Sequence, residues 1–294
     1  MMFIDIHAHA YRKPFLQLDG RRPWPTPDQL VEFYDQLGVE KAVLHPLIGP
    51  EYYLPQSNED ILEAAERFPG RFIPFCNIHP QAICNTTLAP LADVFKKYRD
   101  AGCRGVGEVI CNKSFFDPYM VNFFSQVEKV GFPLTFHLAH RIGGCYGIYD
   151  EPGLPGLDET LDRFQGINFL GHSMAFWAEI SVLEKPYDRA GYPTGKVTEG
   201  ALAKLFRKHK NLYGDMSAGS GCNAFTRDEE YAVKFLNEFQ DQLLFGIDIC
   251  SAPEMEGHGR LARFLLKLRD EGKISATVFE KVARGNARKL LKLD

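Results

Sequence analysis

Several absences narrow what this 294-residue sequence encodes. No apolar run approaches the roughly 20 residues that a membrane-crossing helix needs, and no basic region followed by a signal-like apolar stretch opens the chain. A soluble cytoplasmic protein with no membrane partner is expected. Neither a GxGxxG turn nor a P-loop follows any strand-like segment, which speaks against a nucleotide cradled on a helix N-terminus. The seven cysteines are odd in number and show no repeated C-x-x-C pattern, so they read as thiols of a reducing compartment rather than a disulfide framework. Cys111 and Cys250 each follow an apolar strand-like stretch and are the two candidates for reactivity. A basic stripe is also missing. With a formal charge of -4, a general nucleic-acid surface is not expected, and the run Arg207-Lys208-His209-Lys210 lies at a helix end, where cations suit the helix dipole.

What is present is a regular alternation. The apolar fraction of 45% supports a large core. Thr26-Pro27-Asp28-Gln29 combines a cap, a first-turn proline and a glutamine three residues after the cap, ahead of the amphipathic LVEFYDQLG. Ser57 and Asp60 repeat that signal more weakly. Strands are expected at the start of the chain and at 40–48, 71–78, 104–110, 133–139, 167–172, 211–216 and 243–248. Helices are expected at 57–67, 88–100, 119–130, 158–164, 197–208 and 228–239, with two short ones closing the chain. Eight apolar strands without clean polar alternation, separated by helices, predict a closed (β/α)₈ TIM barrel over residues 1–294 with no second domain. A doubly wound open sheet is the rival.

Three connections are longer than a barrel needs: 10–26, 140–157 and 173–196. All follow strands and so belong to the C-terminal face, where a barrel builds its active site. They carry Arg12, Arg21, Arg22 and Trp24; Tyr146 and Tyr149; and Phe176, Trp177, Tyr187, Arg189 and Tyr192. Their aromatic and arginine content predicts pocket walls.

The strand ends carry the chemistry. In a strand, residues i and i+2 share a face, so His7 and His9 point together, with Asp5 expected deeper on the same side. Glu108, His137, His172, Asp215 and Asp248 lie at or near the ends of strands four to eight. Their gaps of 29, 35, 43 and 33 residues match the pitch of strand–helix units, so all can face one cavity. Carboxylates and imidazoles in apolar strands need a partner or a cation. Two converging imidazoles with carboxylates nearby suit a divalent metal such as zinc. Alternatives stay open residue by residue: Glu108 as a cap or salt-bridge partner, Asp215 as a loop-orienting group, His172 as a satisfied core histidine. His45 and His79 can reach the pocket without binding metal. His140, His209 and His258 have less support.

The set FIDIHAH, FHLAH, FLGHSM, FGIDIC and GNARKLL, spread over nearly the whole chain, resembles the amidohydrolase superfamily of metal-dependent barrels. Within it the likeness is to the "amidohydrolase 2" branch of cyclic-ester hydrolases and nonoxidative aromatic decarboxylases. This resemblance implies His7, His9, His137 and Asp248 as metal ligands, with His172 either a second-metal ligand or a catalytic imidazole. The setting of Glu108, GCRGVGEV, is similar to the TatD-like branch, where the strand-four glutamate bridges two metals. That likeness implies a first ion on His7, His9 and Asp248, a second on His137 and His172, and Glu108 between them.

The expected activity is hydrolysis of a small carboxylate-bearing ester, lactone or amide by metal-activated water, with Asp248 as the proton acceptor and His172 near the carbonyl. Decarboxylation of an aromatic or unsaturated acid is the main alternative. A TatD-like nuclease and a barrel without catalytic activity are the others. The cofactor is expected to be one or two divalent ions, zinc first. Arg12, Arg141 and Arg189 are candidates to grip a substrate carboxylate, and Tyr149 and Trp177 to contact the substrate. The partner is a small molecule, and the superfamily likeness makes a homodimer the expected assembly.

Overall fold

The computed structural model describes residues 2–13, 16, 20, 24–250 and 257–293. Among the described residues nine parallel strands run in chain order: β1 (Phe3–Ala8), β2 (Val39–Leu44), β3 (Phe72–Pro74), β4 (Val106–Val109), β5 (Leu134–Ala139), β6 (Ile148–Tyr149), β7 (Phe169–His172), β8 (Leu212–Asp215) and β9 (Leu243–Leu244). Two hydrogen-bonded sheets, β1-β2-β3 and β4-β5-β7-β8-β9, make the wall, while the two-residue β6 pairs with the end of β5. The parallel bridge Cys76–Val106 joins β3 to β4. On the other side, Ile6 N–H donates to Phe245 O (3.0 Å) and Asp248 N–H donates to His7 O (2.9 Å), so β9 meets β1. Eight strands therefore close into a ring, as the count of apolar segments predicts.

The helices form where the sequence signals them. Thr26 and Gln29 make a reciprocal capping box on Pro27–Leu37, which ends at Gly38 in the left-handed conformation (φ 81°). Ser57 and Asp60 do the same for Asn58–Arg67. Among the described residues the 3₁₀ helix Pro186–Ala190 lies outside the expected set, as do three α-helices: Met174–Ala178, Ala218–Thr226 and Arg260–Asp270. The last buries Leu261, Ala262, Leu265 and Leu268, a spacing that places one apolar stripe toward the barrel. The first breaks up the expected loop 173–196.

Inside the ring, Ile4, Ile6, Val43, Ile73, Phe75, Leu170 and Leu244 form a compact plug. A larger apolar layer fills the space between the strands and the helices. Each fully buried large apolar side chain contributes about 1.5–3 kcal/mol, which offsets the cost of the buried charges held above the plug. Gly107 (φ 138°) sits where a Cβ would lie 2.7 Å from Thr135 O, so only glycine lets β4 lie this close to β5 beside Glu108. Among the described residues no helix is long and apolar enough to cross a membrane.

Candidate metal centre

Above the plug, at the C-terminal ends of β1, β4, β5, β7 and β8 and just after β9, the chain gathers His7, His9, Glu108, His137, His172, Asp215 and Asp248. All except His137 are buried. Asp5 does not join them. Its carboxylate turns outward, taking the Tyr34 hydroxyl at 2.5 Å and the amides of His7 (3.0 Å) and Ile247 (2.8 Å). Strict two-residue alternation fails because the β1–β2 register shifts between Asp5 and Ala8, which lets Ile4 and Ile6 fill the plug and His7 still face the cavity.

Neighbouring acceptors fix which ring nitrogen faces inward. His7 Nδ1–H donates to Asp215 Oδ2 at 2.6 Å, and His9 Nδ1–H donates to His45 O at 3.0 Å. Their Nε2 atoms then present lone pairs to each other at 3.1 Å. His172 Nδ1 lies 3.3 Å from Asp215 Oδ2 and 3.0 Å from Ser217 Oγ, which leaves its Nε2 toward the cavity. Asp215 thus orients two imidazoles rather than only a loop. The same imidazoles hold its carboxyl far below the usual range although burial pushes the other way. Burial opposes a charge on His7 too, but Asp215 and Asp248 outweigh it and raise its pKa well above the ordinary value.

Glu108 lies between the imidazoles. Its Oε2 is 3.4 Å from His9 Nε2 and 3.7 Å from His7 Nε2; its Oε1 is 2.8 Å from His137 Nδ1 and 3.9 Å from His172 Nε2. Burial raises its pKa, but His137, His7 and His9 outweigh that and hold it well below the ordinary carboxylate value. Asp248, with a left-handed backbone (φ 51°), places Oδ1 3.8 Å from His9 Nε2 and Oδ2 3.6 Å from His172 Nε2. Oδ1 is buried without a hydrogen-bond partner.

These residues fit divalent ions. Two nitrogens bound tetrahedrally to zinc at about 2.0–2.1 Å would lie about 3.3 Å apart, close to the His7–His9 spacing. With both rings neutral, two facing lone pairs and an orphaned carboxylate oxygen are costly unless a proton or a metal cation lies between them. Three overlapping groups have ligand atoms within 4.8 Å of one another: His7, His9 and Glu108; His7, His172 and Asp248; Glu108, His137 and His172.

A fourth group, Glu51, His79 and Cys111, lies on the rim. There His79 Nδ1 accepts the Gln81 amide (3.3 Å), so Nε2 carries the proton and offers no lone pair. Burial, with Glu51 nearby, pushes the Cys111 thiol up to about 12, which makes it an inert thiol. His45 is buried and donates from Nε2 to Ile6 O (3.1 Å). Burial and the neighbouring imidazoles lower its pKa to about 3.

A cavity of about 40 Å³ opens onto this centre, walled by Trp24, Leu47, Tyr52, Ile110, Tyr146 and Cys250. Trp24 and Tyr146 come from the loops expected to build walls. Tyr52, Leu47 and Ile110 were not expected; the Tyr52-Tyr53 pair after β2 is the sequence signal that points to the first. The five residues proposed to touch substrate do not line this cavity. Arg12 is exposed and its Nη1 donates to both carboxylate oxygens of Glu63 (2.9 and 3.2 Å), and Arg141 is exposed and donates to Gly144 O (3.2 Å). Arg189 is buried against Glu179 (3.1 Å) and Asp150 O (2.8 Å). Tyr149 sits in β6, and Trp177 is buried with its Nε1–H donating to Asp215 O (2.7 Å). Arg21 and Arg22 lie outside the described residues.

No family model and no curated protein matches the chain. Solved structures do match it over nearly its full length. An uncharacterised TIM-barrel protein from Bordetella bronchiseptica has a TM-score of 0.66 at 18% identity, covering 99% of this chain and 98% of that one. An amidohydrolase from Burkholderia multivorans with bound zinc has a TM-score of 0.61 at 14% identity, covering 100% of both chains. The 5-carboxyvanillate decarboxylase of Sphingomonas paucimobilis has a TM-score of 0.58 at 16% identity, covering 99% of both. The fold is therefore the TIM-barrel type that these proteins share. At such identities the likeness extends to the fold alone.

Proposed function

We propose that this protein is a metal-dependent enzyme of the amidohydrolase superfamily that hydrolyses a small ester, lactone or amide at a two-ion centre. The position of Glu108 carries this reading, with one carboxylate oxygen toward His7 and His9 and the other toward His137 and His172. In this assignment His7, His9 and Asp248 would hold one ion and His137 and His172 the other, with Glu108 available to both. Divalent ions there would supply Lewis acidity and a water of lowered pKa. The fold neighbour with bound zinc supports zinc as the first ion to try.

The chain's own groups supply the rest. Asp248 Oδ1, which has no partner, accepts the proton of the attacking water and returns it to the leaving group. Asp215 holds His7 and His172 in the tautomer that turns Nε2 inward. The apolar wall of Trp24, Leu47, Tyr52 and Ile110 excludes bulk water and selects a flat, largely apolar substrate. That aromatic wall also supports the second reading, decarboxylation of a planar aromatic acid, a reaction named for one of the fold neighbours. In that case Asp248 or His172 delivers a proton to the ring carbon that loses carbon dioxide.

Elemental analysis of protein purified without chelator tests the assignment. Two ions per chain, falling to one in Glu108→Ala, is the expected result. One ion that is indifferent to Glu108 would reject the two-ion centre and favour decarboxylation.

A further inference from the structure

A second set of unpaired polar groups lies away from the metal centre, between the helix Ala218–Thr226 and the long connection that follows β7. Arg227 is half-buried, and its Nε and Nη2 are shielded from solvent without a hydrogen-bond partner. Those two atoms are the edge of the guanidinium whose N–H groups point in parallel and grip a carboxylate or similar planar oxyanion with two bonds. Ser220 Oγ, on the same helix, is also buried and unpartnered. Arg227 and Ser220 line one small cavity of about 10 Å³, room for about one water-sized atom. Arg227 also lines a far larger cleft of about 780 Å³, which shares Gly191, Tyr192 and Pro193 with the small cavity.

The acid nearest in sequence does not satisfy this cation. Asp228 accepts the Val197 amide (2.9 Å), the Tyr231 amide (3.4 Å) and Lys196 Nζ (3.2 Å). Glu184 and Asp188 also line the cleft, and Asp188 accepts the Lys185 amide at 3.1 Å. Burial outweighs the attraction of Asp228 and pulls the Arg227 pKa down, the direction expected for a poorly compensated cation. A water in the small cavity would satisfy one N–H but leave the charge uncompensated, whereas an anion answers both.

We propose that Arg227 and Ser220 form a carboxylate-binding site: a carboxylate entering from the cleft seats one oxygen in the small cavity against Ser220 Oγ–H, and the Arg227 side chain, packed here with its Nε–Nη2 edge out of solvent, turns that edge to take both oxygens. Tyr187 and Tyr192, both largely exposed on the cleft, give the ligand's body an aromatic surface. The site is independent of the metal reading, because none of its groups is a metal ligand.

Two probes separate a free small anion from the carboxylate end of a larger molecule. Acetate and benzoate would be titrated into the full-length protein at constant ionic strength, read by calorimetry and by thermal shift. Saturable binding of either, weakened about 10- to 100-fold in Arg227→Gln and less in Arg227→Lys and Ser220→Ala, is the expected result. Benzoate binding at least about tenfold tighter than acetate identifies a carboxylate on an organic body; equal affinity identifies a free small anion. In carboxylate-free buffer Arg227→Gln should melt no lower than the wild type, since it removes an unpaired half-buried charge, a behaviour that a merely structural arginine would not show. The proposal is overturned if neither probe binds saturably, if Arg227→Gln binds as well as the wild type, or if that variant melts lower in carboxylate-free buffer.

Discussion

Replacing Asp215 with asparagine tests the outer layer of the proposed metal centre with almost no change of shape. Both carboxylate oxygens of Asp215 accept hydrogen bonds: Oδ1 from the Ser217 amide at 3.0 Å and Oδ2 from His7 Nδ1–H at 2.6 Å. An amide side chain has one acceptor oxygen, so whichever way the substituted group turns, its NH₂ meets a donor. If the NH₂ faces His7, the imidazole relieves the clash by moving its proton to Nε2, the atom that faces His9, and the lone pair needed for metal is lost. Removing an outer partner of this kind costs about 10- to 100-fold in metal affinity, or about 1.4–2.7 kcal/mol. The expectation lies at the upper end, because the same carboxylate also stands 3.3 Å from His172 Nδ1. The assay is zinc titration of metal-free wild type and Asp215→Asn against a chromophoric chelator, with circular dichroism to establish that both are folded. A folded variant whose zinc affinity stays within about twofold of the wild type would refute the tautomer argument.

Other expectations follow from the same geometry. Asp248→Asn keeps the shape but removes the proposed proton acceptor, so turnover should be abolished while circular dichroism is unchanged; near-normal turnover would remove Asp248 from that role. The pH dependence has a defined sign. His7 has a raised pKa in the folded, metal-free protein, so its contribution to stability is full below the unfolded value of about 6.5 and is lost as pH rises through the folded value. Thermal melts of metal-free protein should therefore fall across that window. Because an ion must displace the same proton, apparent zinc affinity should rise about tenfold per pH unit until the folded pKa of His7 is passed. A flat affinity profile would show that no proton leaves on binding.

The barrel was legible in the sequence because its signals are local. Eight apolar segments at the pitch of strand–helix units, with caps such as Thr26-Gln29 and Ser57-Asp60, need only propensity and burial to be read, and each corresponds to a strand or helix in the ring. The polar strand ends were legible for a related reason: an imidazole or carboxylate at the end of an apolar strand is costly without a partner, and six such ends at regular intervals imply a shared one. The helix Ala218–Thr226, AGSGCNAFT, was not legible because its two glycines, its serine and its asparagine have low helix propensity and packing against neighbouring helices holds it.

Pattern along the chain was therefore enough to specify the kind of fold and the kinds of atoms that ring its open end. Where those atoms point came from packing between distant segments. With Ile4 and Ile6 turned into the plug, Asp5 points outward to Tyr34 and not to the cavity, and the register shift after it brings His7 back inward, a change of face that alternation cannot foresee. Arginine content suggested a carboxylate grip at Arg12, Arg141 and Arg189, but long side chains go to whatever acceptor the fold brings near, here Glu63, Gly144 O and Glu179. Arg227 drew no notice in the sequence; it stands out only because folding buries two of its nitrogens and leaves them without a partner. Strands, helices and caps follow from neighbours along the chain, whereas the pairing of charges follows from distances that exist only once the ring has closed.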